Sequence, residues 1–211
     1  MGNKRLDDGL LISLEGVEAV GKTTQLWRLK RRIEALGQEV LAVREPGGTA
    51  FGETLRDLIL HRVQAESGLA EFLVFAAARA ELMATVIQPA LNRGATVLMD
   101  RFVDSSLAYQ AFGRGLSTAV VDQINQLVIE NRMPDLTIWL KGEPFAIEEK
   151  DQLERRDAAY FKRVEEGYQW LYQQNPTRWL VVDCRQDPDI IFDTLMSRIY
   201  RFFKKNTRGD D

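Results

Sequence analysis

The stretch EGVEAVGKTTQ, residues 15–25, decides the fold of this chain because it joins a short apolar run to a segment with helical spacing. Its residues Gly16 to Thr23 satisfy the pattern G-x-x-x-x-G-K-[ST], which requires a strand before it and a helix after it. The glycines let successive backbone N–H groups bind phosphate oxygens, and the helix adds its positive N-terminal end. The stretch therefore predicts a phosphate-binding loop, in which Lys22 bridges the outer phosphates and the Thr23 hydroxyl binds Mg²⁺.

The composition excludes several classes of protein. A chain of 211 residues with 45% apolar and 28% charged residues is typical of one globular domain, spanning residues 1–211. The net charge of −3 does not favour nonspecific binding to nucleic acid. No apolar stretch approaches the length of about 20 residues that spans a membrane. The lone Cys184 cannot form an internal disulfide, which fits a reducing compartment, so we expect a cytoplasmic protein. From the net charge and the short apolar stretches, we expect neither a nucleic-acid nor a membrane partner.

Short apolar runs alternate with segments of helical spacing along the chain. Five runs, which lack polar alternation and so resemble strands buried on both faces, cover residues 9–15, 38–45, 95–100, 135–140 and 178–183. Helical spacing covers residues 22–36, 69–92, 118–131, 157–174 and 188–203. We expect Pro89 to kink or end its helix, and Leu26 and Trp27 to lie in the core. The alternation predicts an α/β fold with a mostly parallel sheet.

Two segments place cationic and aromatic side chains where a ligand could bind. Arg44 leaves the second strand in the sequence REPGGT, at the crevice where parallel α/β sheets bind ligands, so it is placed to hold a second phosphate. Phe75 and Arg79 lie four residues apart on one helical face, so a ring and a guanidinium can address one ligand. Core packing explains Phe75 equally well.

Two further segments follow the third predicted strand. Asp100 ends that strand and is positioned to order Mg²⁺ or its water, while Arg101 beside it would neutralise a transferred phosphate. The segment DSSLAYQAFGRG, residues 104–115, then carries hydroxyl and amide groups at helical spacing that could read the edge of a base, namely Ser105, Ser106, Tyr109 and Gln110.

A phosphate-binding loop alone leaves several activities open, among them a GTPase, an ATPase and a small-molecule kinase. No guanine-reading NKxD motif follows any predicted strand, which disfavours a small GTPase. Large ATPase motors are usually longer than this chain.

The segments EGVEAVGKTTQ, REPGGT, FAAAR, DRF and SSLAYQAFGRGL together resemble, in order, the motifs of the thymidylate kinase family, and PDLTIWL resembles its fourth strand. The resemblance runs from about residue 10 to residue 183. It implies a P-loop nucleoside-monophosphate-kinase-like three-layer fold, with a five-stranded parallel sheet flanked by helices. It also implies a homodimer that transfers a phosphoryl group from ATP to dTMP, giving dTDP for dTTP biosynthesis.

The resemblance assigns roles to residues at matching positions. The loop would bind ATP phosphates through Gly16, Val17, Glu18, Ala19, Val20, Gly21, Lys22, Thr23 and Thr24. Mg²⁺ would bind Thr23 and Asp100, and the catalytic groups would be Lys22, Arg101, Arg44 and Glu18. The dTMP site would comprise Glu18, Arg44, Phe75, Arg79, Arg101, Ser106, Tyr109, Gln110 and Tyr168. Within it Phe75 would stack on thymine, Arg79 would hydrogen-bond its edge, and Tyr168 would lie near the deoxyribose.

The chain departs from the family pattern in the predicted lid, about residues 141–156. This segment is shorter and more acidic than the family's, and Gln152 stands where a lid arginine is expected. Three other cations could replace that arginine or simply form a solvated helix face, namely Lys150, Arg155 and Arg156. Another deoxynucleoside monophosphate kinase, or a nucleotide-binding paralogue with weak turnover, therefore stays an alternative. The tail, about residues 204–211, is expected to be mobile.

Overall fold

A sheet of five parallel strands forms the centre of the protein. The computed structural model describes residues 9–62, 65–143, 145 and 157–206. The strands are β1 (Leu10–Glu15), β2 (Val40–Arg44), β3 (Thr96–Asp100), β4 (Leu136–Lys141) and β5 (Trp179–Asp183), in the spatial order β2-β3-β1-β4-β5. Each agrees within two residues with a predicted run. The sheet confirms the predicted α/β class.

Helices cover both faces of the sheet. They are α1 (Lys22–Glu34), α2 (Ala50–Asp57), α3 (Gly68–Leu82), α4 (Gln88–Asn92), α5 (Val103–Ser106), α6 (Thr118–Val128), α7 (Ala158–Gln174) and α8 (Pro188–Asn206). Wider π-helical turns extend three of them, at Leu58–Arg62, Met83–Ile87 and Leu107–Gly113, and a 3₁₀ turn at Pro176–Arg178 precedes β5.

The strands are apolar throughout because both of their faces are buried. In β1, Ile12 packs with α1 and α8 on one face, whereas Leu11 packs with α3 and α4 on the other. Trp139 of β4 and Trp179 of β5 pack with α7 in a third cluster. The result is the predicted three-layer arrangement, with helices on both sides of one sheet. No helix among the described residues is long and apolar enough to cross a membrane.

Three local features differ from the expectations. Helix α2 was not predicted after the glycine turn; it begins because the Thr49 hydroxyl accepts the Gly52 N–H at 2.9 Å. The helical segment does not end at Pro89 but continues to Asn92; the wider turn Met83–Ile87 separates α3 from α4, and proline tolerates its position in the first turn of α4. Trp27 is not a core residue, since 48% of it is exposed. Leu26 is buried, as expected.

The sheet topology fixes where a ligand can bind. The chain passes from β1 to β2 at one edge, returns to β3, and then crosses to β4 on the other side of β1. The carboxyl ends of β1 and β3 therefore flank the point where the strand order reverses, which is the usual ligand-binding crevice of such sheets. Arg44 and Asp100 stand opposite each other in the strand register at this edge.

Candidate functional site

A cavity of about 660 Å³ opens at the carboxyl edge of the sheet. It brings together most of the side chains that the sequence singled out, namely Glu18, Ala19, Lys22, Thr23, Arg44, Phe75, Arg79, Asp100, Arg101, Ser105, Ser106, Tyr109 and Gln110. The remaining predicted loop residues, Gly16, Val17, Val20, Gly21 and Thr24, connect β1 to α1 or begin that helix. Tyr168 is fully buried behind Arg101.

The loop between β1 and α1 curls as a phosphate cradle requires. Gly16 has φ +132°, and a Cβ atom there would lie 2.4 Å from the Leu140 carbonyl oxygen, so no larger residue fits. The Lys22 ammonium lies across the loop and donates to the carbonyl oxygens of Val17, at 2.5 Å, and Gly16, at 3.2 Å. Burial, together with the charge of Arg101, lowers the pKa of Lys22 to about 8. Anionic phosphates at this position would favour its charged form.

Thr23 and Asp100 meet beside the loop. The Thr23 hydroxyl donates to Asp100 Oδ2 at 2.6 Å, joining the first turn of α1 to the end of β3. Hydroxyl and carboxylate oxygens are ligands that Mg²⁺ accepts. The described residues contain no group of three or more His, Cys, Asp or Glu side chains that could hold a metal by themselves. The pair therefore fits a Mg²⁺ ion bound mainly by phosphates and water, as is common for nucleotides.

Arg101, Glu18 and Tyr109 form a connected cluster beside the loop, where Arg101 Nη1 also donates to the Gly16 carbonyl at 2.8 Å. Arg101 Nη2 donates to Glu18 Oε1 at 2.7 Å, and the Tyr109 hydroxyl lies 3.0 Å from both Glu18 oxygens. The Arg101 guanidinium also lies 4.9 Å from the centre of the Tyr109 ring. Glu18 is thus held by a cation and a phenol in the cavity wall, rather than pointing at the phosphate-binding backbone.

Arg79 is held rigidly where helix α3 meets the cavity. Only 2% of it is exposed; its Nε donates to Glu45 at 2.8 Å and its Nη1 to Asn125 at 2.6 Å. Nη2 donates to Ser106 at 3.0 Å. Burial raises the pKa of Glu45, although the Arg79 charge opposes that shift. Sequence reasoning assigned no role to Glu45, whose only signal was its place directly after Arg44.

Two arginines line the cavity near the glycine turn that follows β2. Arg44 Nη2 pairs with Glu53 at 3.2 Å, and Arg56 Nη1 donates to the Pro46 carbonyl at 3.0 Å. Arg56 was missed because helix α2 was not predicted. Once that helix is known, the i, i+3 spacing places Arg56 on the face that Glu53 occupies, beside Arg44. The described cavity therefore presents Arg44, Arg56 and Arg101 together.

A buried acid supports this wall from behind. Glu15, at the end of β1, accepts the Phe102 N–H at 2.9 Å, the Ser105 hydroxyl at 2.5 Å and the Tyr168 hydroxyl at 3.0 Å. Burial, followed by the charge of Asp104, raises the pKa of Glu15 to about 7. The only sequence signal for this role was a glutamate at the end of an apolar run.

A deeper ion pair, between Arg178 and Asp104, lies away from the cavity and close to Glu15. Arg178 binds Asp104 through two hydrogen bonds of 2.7 and 2.8 Å, and the Thr137 hydroxyl donates to the same carboxylate at 2.9 Å. Asp104 is fully buried and does not line the cavity. Among the polar side chains at the start of α5, this one is therefore structural.

The predicted lid lies outside the described residues except for 141–143 and 145. The backbone N–H of Phe145 donates to the Ala19 carbonyl of the loop at 3.1 Å, so the chain after β4 passes over the loop. Gln152 and the three candidate lid cations, Lys150, Arg155 and Arg156, belong to the part that is not described. Helix α8 extends to Asn206, and the rest of the predicted tail, 207–211, is likewise not described.

Comparison with known proteins gives a consistent result. The family model described as thymidylate kinase matches residues 14–194. The chain is 39% identical over 206 residues to the thymidylate kinase of Chlorobaculum tepidum, covering 90% of this chain and 96% of the relative. It is 42% identical over 191 residues to that of Deinococcus radiodurans, covering 87% and 93%. The crystal structure of thymidylate kinase from Ehrlichia chaffeensis matches with a TM-score of 0.73 and 33% identity, over 83% of this chain and 93% of that one.

Proposed function

We infer that this chain, which belongs to the thymidylate kinase family, is a nucleoside monophosphate kinase that transfers the γ-phosphoryl group of ATP to dTMP. The products are ADP and dTDP. The observation that carries this conclusion is one cavity lined both by Lys22 of the phosphate loop and by Arg44, Arg56 and Arg101. Two phosphate groups can therefore be held in the same space. The family match does not favour the alternatives of a different kinase or an inactive paralogue.

Three arginines in the cavity are suited to bind the phosphate of the acceptor nucleotide. Arg44, Arg56 and Arg101 line the cavity next to the loop, and a planar guanidinium binds phosphate through two parallel hydrogen bonds. We propose that these three hold the phosphate of dTMP. Glu18, Lys22, Arg44 and Arg101 then act as the catalytic groups, with Glu18 fixing Arg101 and facing the sugar of the acceptor.

The mechanism follows from the charges that must meet. The acceptor oxygen of a nucleoside monophosphate is already anionic at neutral pH, so the reaction needs no strong base. The site must instead reduce the repulsion between two anions and align them in line. Lys22 holds the outer phosphates of ATP and Arg101 the acceptor and transferred groups. Removing one such cation from a site closed to water costs about 10²–10³ in rate, by analogy with a lost oxyanion donor.

Thr23 and Asp100 would hold Mg²⁺ in this reaction. Their oxygens are already paired at 2.6 Å beside the loop, and the ion would neutralise negative charge on the phosphates. We expect turnover to stop when EDTA removes divalent cations and to return when Mg²⁺ is added in excess.

The nucleoside would occupy the part of the cavity between α3 and the segment after β3. Phe75 would stack on thymine, and Arg79 would donate to its edge. Ser106, Tyr109 and Gln110 line the same space. Tyr168 would lie near the deoxyribose, behind the residues that line the cavity, because its hydroxyl contacts Ser105 and Glu15 at 3.0 Å.

An apolar surface on α3 and α6 supports the expected homodimer. Leu69 and Leu73 of α3 are 42% and 47% exposed, and Val120 and Leu127 of the neighbouring α6 are 42% and 77% exposed. We propose that a second copy of the chain covers this surface. The variant Leu73→Glu should sediment as a monomer while the unmodified chain sediments as a dimer. Ile190→Glu, at an exposed apolar residue of α8, is the matched control and should stay dimeric.

A coupled assay of ADP release tests the proposed activity. It compares dTMP with dUMP, dCMP, dGMP and AMP, each with ATP and Mg²⁺, and we expect dTMP to give the highest kcat/KM. Turnover of AMP or dCMP without dTMP would contradict the substrate assignment. Binding of ATP with no turnover of any acceptor would instead favour the inactive paralogue.

The lid cation is proposed from sequence alone. We expect one of Lys150→Ala, Arg155→Ala and Arg156→Ala to lower kcat by about 10–10³, as removal of a cation near the transferred group does. Uniformly mild effects would mean that none of the three serves as the lid cation.

A cytoplasmic location also stays a prediction, which cell fractionation tests.

A further inference from the structure

Helix α3 carries a buried acid next to the proposed base-binding residues. Glu71 precedes Phe75 by four residues and Arg79 by eight, so the three side chains share one face of the helix. Only 1% of Glu71 is exposed. Its Oε1 accepts a hydrogen bond from the side-chain amide nitrogen of Gln110 at 3.2 Å, and its Oε2 lies 3.5 Å from Nε of Arg114. Glu71 therefore joins the helix to Gln110 in the opposite wall.

This contact decides which way the Gln110 amide points. The two ends of a glutamine amide have nearly the same shape, so only hydrogen-bond partners distinguish them. A carboxylate accepts hydrogen bonds, and here the Gln110 nitrogen donates to Glu71 Oε1 while Arg114 lies against Oε2 of the same carboxylate. The Gln110 nitrogen must therefore face Glu71, and the Gln110 oxygen faces away from it.

The Gln110 oxygen is open to the cavity. Gln110 lines the cavity although only 3% of the residue is exposed. Within the described part of the chain, no donor contacts the side-chain oxygen of Gln110. That oxygen is not enclosed by protein atoms either, since the buried polar atoms without a partner are found on other residues. It is therefore an accessible acceptor in the wall where the base would bind.

We propose that Glu71 is a specificity residue, which fixes the Gln110 amide so that the cavity presents a hydrogen-bond acceptor to the base. Thymine and uracil carry an N–H donor at N3, flanked by carbonyl oxygens, and so match this acceptor and the neighbouring Arg79 donors. Cytosine has an acceptor at N3 and an amino group beside it, so it would set acceptor against acceptor and donor against donor. The inference rests on the proposed function and adds the group that sets its preference between pyrimidines.

The orientation depends on Glu71 because Gln110 has little else to hold it. Rotation about the last torsion of its side chain exchanges oxygen and nitrogen at small steric cost. Once rotated, the amide would donate into the cavity and match N3 of cytosine. A site built around a hydrogen bond rejects a ligand that cannot form it, so loss of the fixed orientation should weaken that rejection.

The test compares Glu71→Gln with Glu81→Gln, the same substitution on the same helix outside the cavity. The amide introduced by Glu71→Gln keeps the volume of the carboxylate but can either donate to or accept from Gln110, so both orientations of Gln110 become possible. We expect the ratio of kcat/KM for dTMP to that for dCMP to fall roughly ten- to hundred-fold in Glu71→Gln. The ratio should be unchanged in Glu81→Gln. Calorimetric dissociation constants for the two nucleotides should show the same change.

The outcomes separate the inference from the proposed function. Equal losses for dTMP and dCMP in Glu71→Gln would overturn the inference and make Glu71 a packing residue only. Equal use of both nucleotides by the unmodified chain would overturn it as well. Absence of dTMP turnover with a normal preference for dTMP in binding would contradict the proposed function alone, since calorimetry still measures the selectivity that Glu71 is inferred to set.

Discussion

The carboxylate of Glu15 accepts the backbone N–H of Phe102 at 2.9 Å, and this hydrogen bond ties β1 to the turn that follows β3. Arg101, the residue before Phe102, has φ +71°, a conformation that costs a non-glycine residue about 1–2 kcal/mol. Its own N–H donates to the Leu14 carbonyl at 3.0 Å. The strand therefore holds both sides of the turn that directs Arg101 to Glu18 and into the cavity.

We expect Glu15→Ala to lower kcat by up to about 10², because the turn loses the acceptor that fixes Arg101 and a small displacement of such a group is costly. The loss should be much smaller for Thr137→Val, which removes a hydroxyl from the deeper Asp104 cluster without touching Arg101. Steady-state kinetics with both substrates, alongside urea denaturation, separates activity from stability. Equal kcat values for the two variants would show that Glu15 has no positioning role.

Glu15 should also make stability depend on pH. Its pKa rises from 4.5 to about 7 on folding, so the folded state binds this proton more tightly than the unfolded chain. The stabilisation is fully present below pH 4.5 and is lost as the pH rises through about 7. Between pH 5 and 8 the unmodified chain should lose on the order of 2 kcal/mol relative to Glu15→Gln, which cannot titrate there.

Urea denaturation of both proteins at pH 5, 6, 7 and 8 measures that difference. The difference in unfolding free energy isolates Glu15, because the other titrating groups are common to both proteins. Parallel stability profiles would mean that Glu15 does not titrate in this range.

The sequence predicted the parts of the site that depend on local patterns. The phosphate loop has a fixed spacing of glycine, lysine and threonine, and the residues after β2 and β3 follow recognisable strands. Parallel strands bring their carboxyl ends to one edge, so Thr23 and Asp100 could be expected to meet although 77 positions separate them. The parallel topology of the sheet therefore brings residues that are distant in the sequence close together in the site.

The supporting residues could not be predicted in the same way. Glu15, Glu45 and Glu71 are buried in the folded protein, but nothing local distinguishes a buried acid from an exposed one. Their burial depends on partners such as Arg79 and Gln110, which lie 34 and 39 positions away. Trp27 shows the opposite case, since helical spacing placed it in the core and the open cavity beside α1 left it half-exposed.

The deeper ion pair should affect stability and not catalysis. Asp104 is fully buried and the Arg178 side chain is 12% exposed, and removing one member of a buried pair typically costs about 3–5 kcal/mol because the other charge is left unpaired. We expect Arg178→Met to lower the unfolding free energy by about that amount, with kcat reduced less than about three-fold in the surviving folded protein. The double variant that combines Arg178→Met with Asp104→Leu should regain most of the lost stability. Destabilisation by the double variant beyond that of Arg178→Met alone would contradict this account.

Lys22 should show the reverse pattern, a loss of activity without a loss of stability. It is 6% exposed, and burial disfavours its charge, so the folded protein gains little from keeping an ammonium there. Lys22→Met keeps an unbranched side chain that is one atom shorter and removes the charge that would hold the phosphates. We expect kcat to fall by about 10²–10³ while the unfolding free energy stays the same or rises. Lys30→Met, on the same helix but outside the cavity, should leave kcat unchanged. Full activity of Lys22→Met would contradict the phosphate-binding role of the loop.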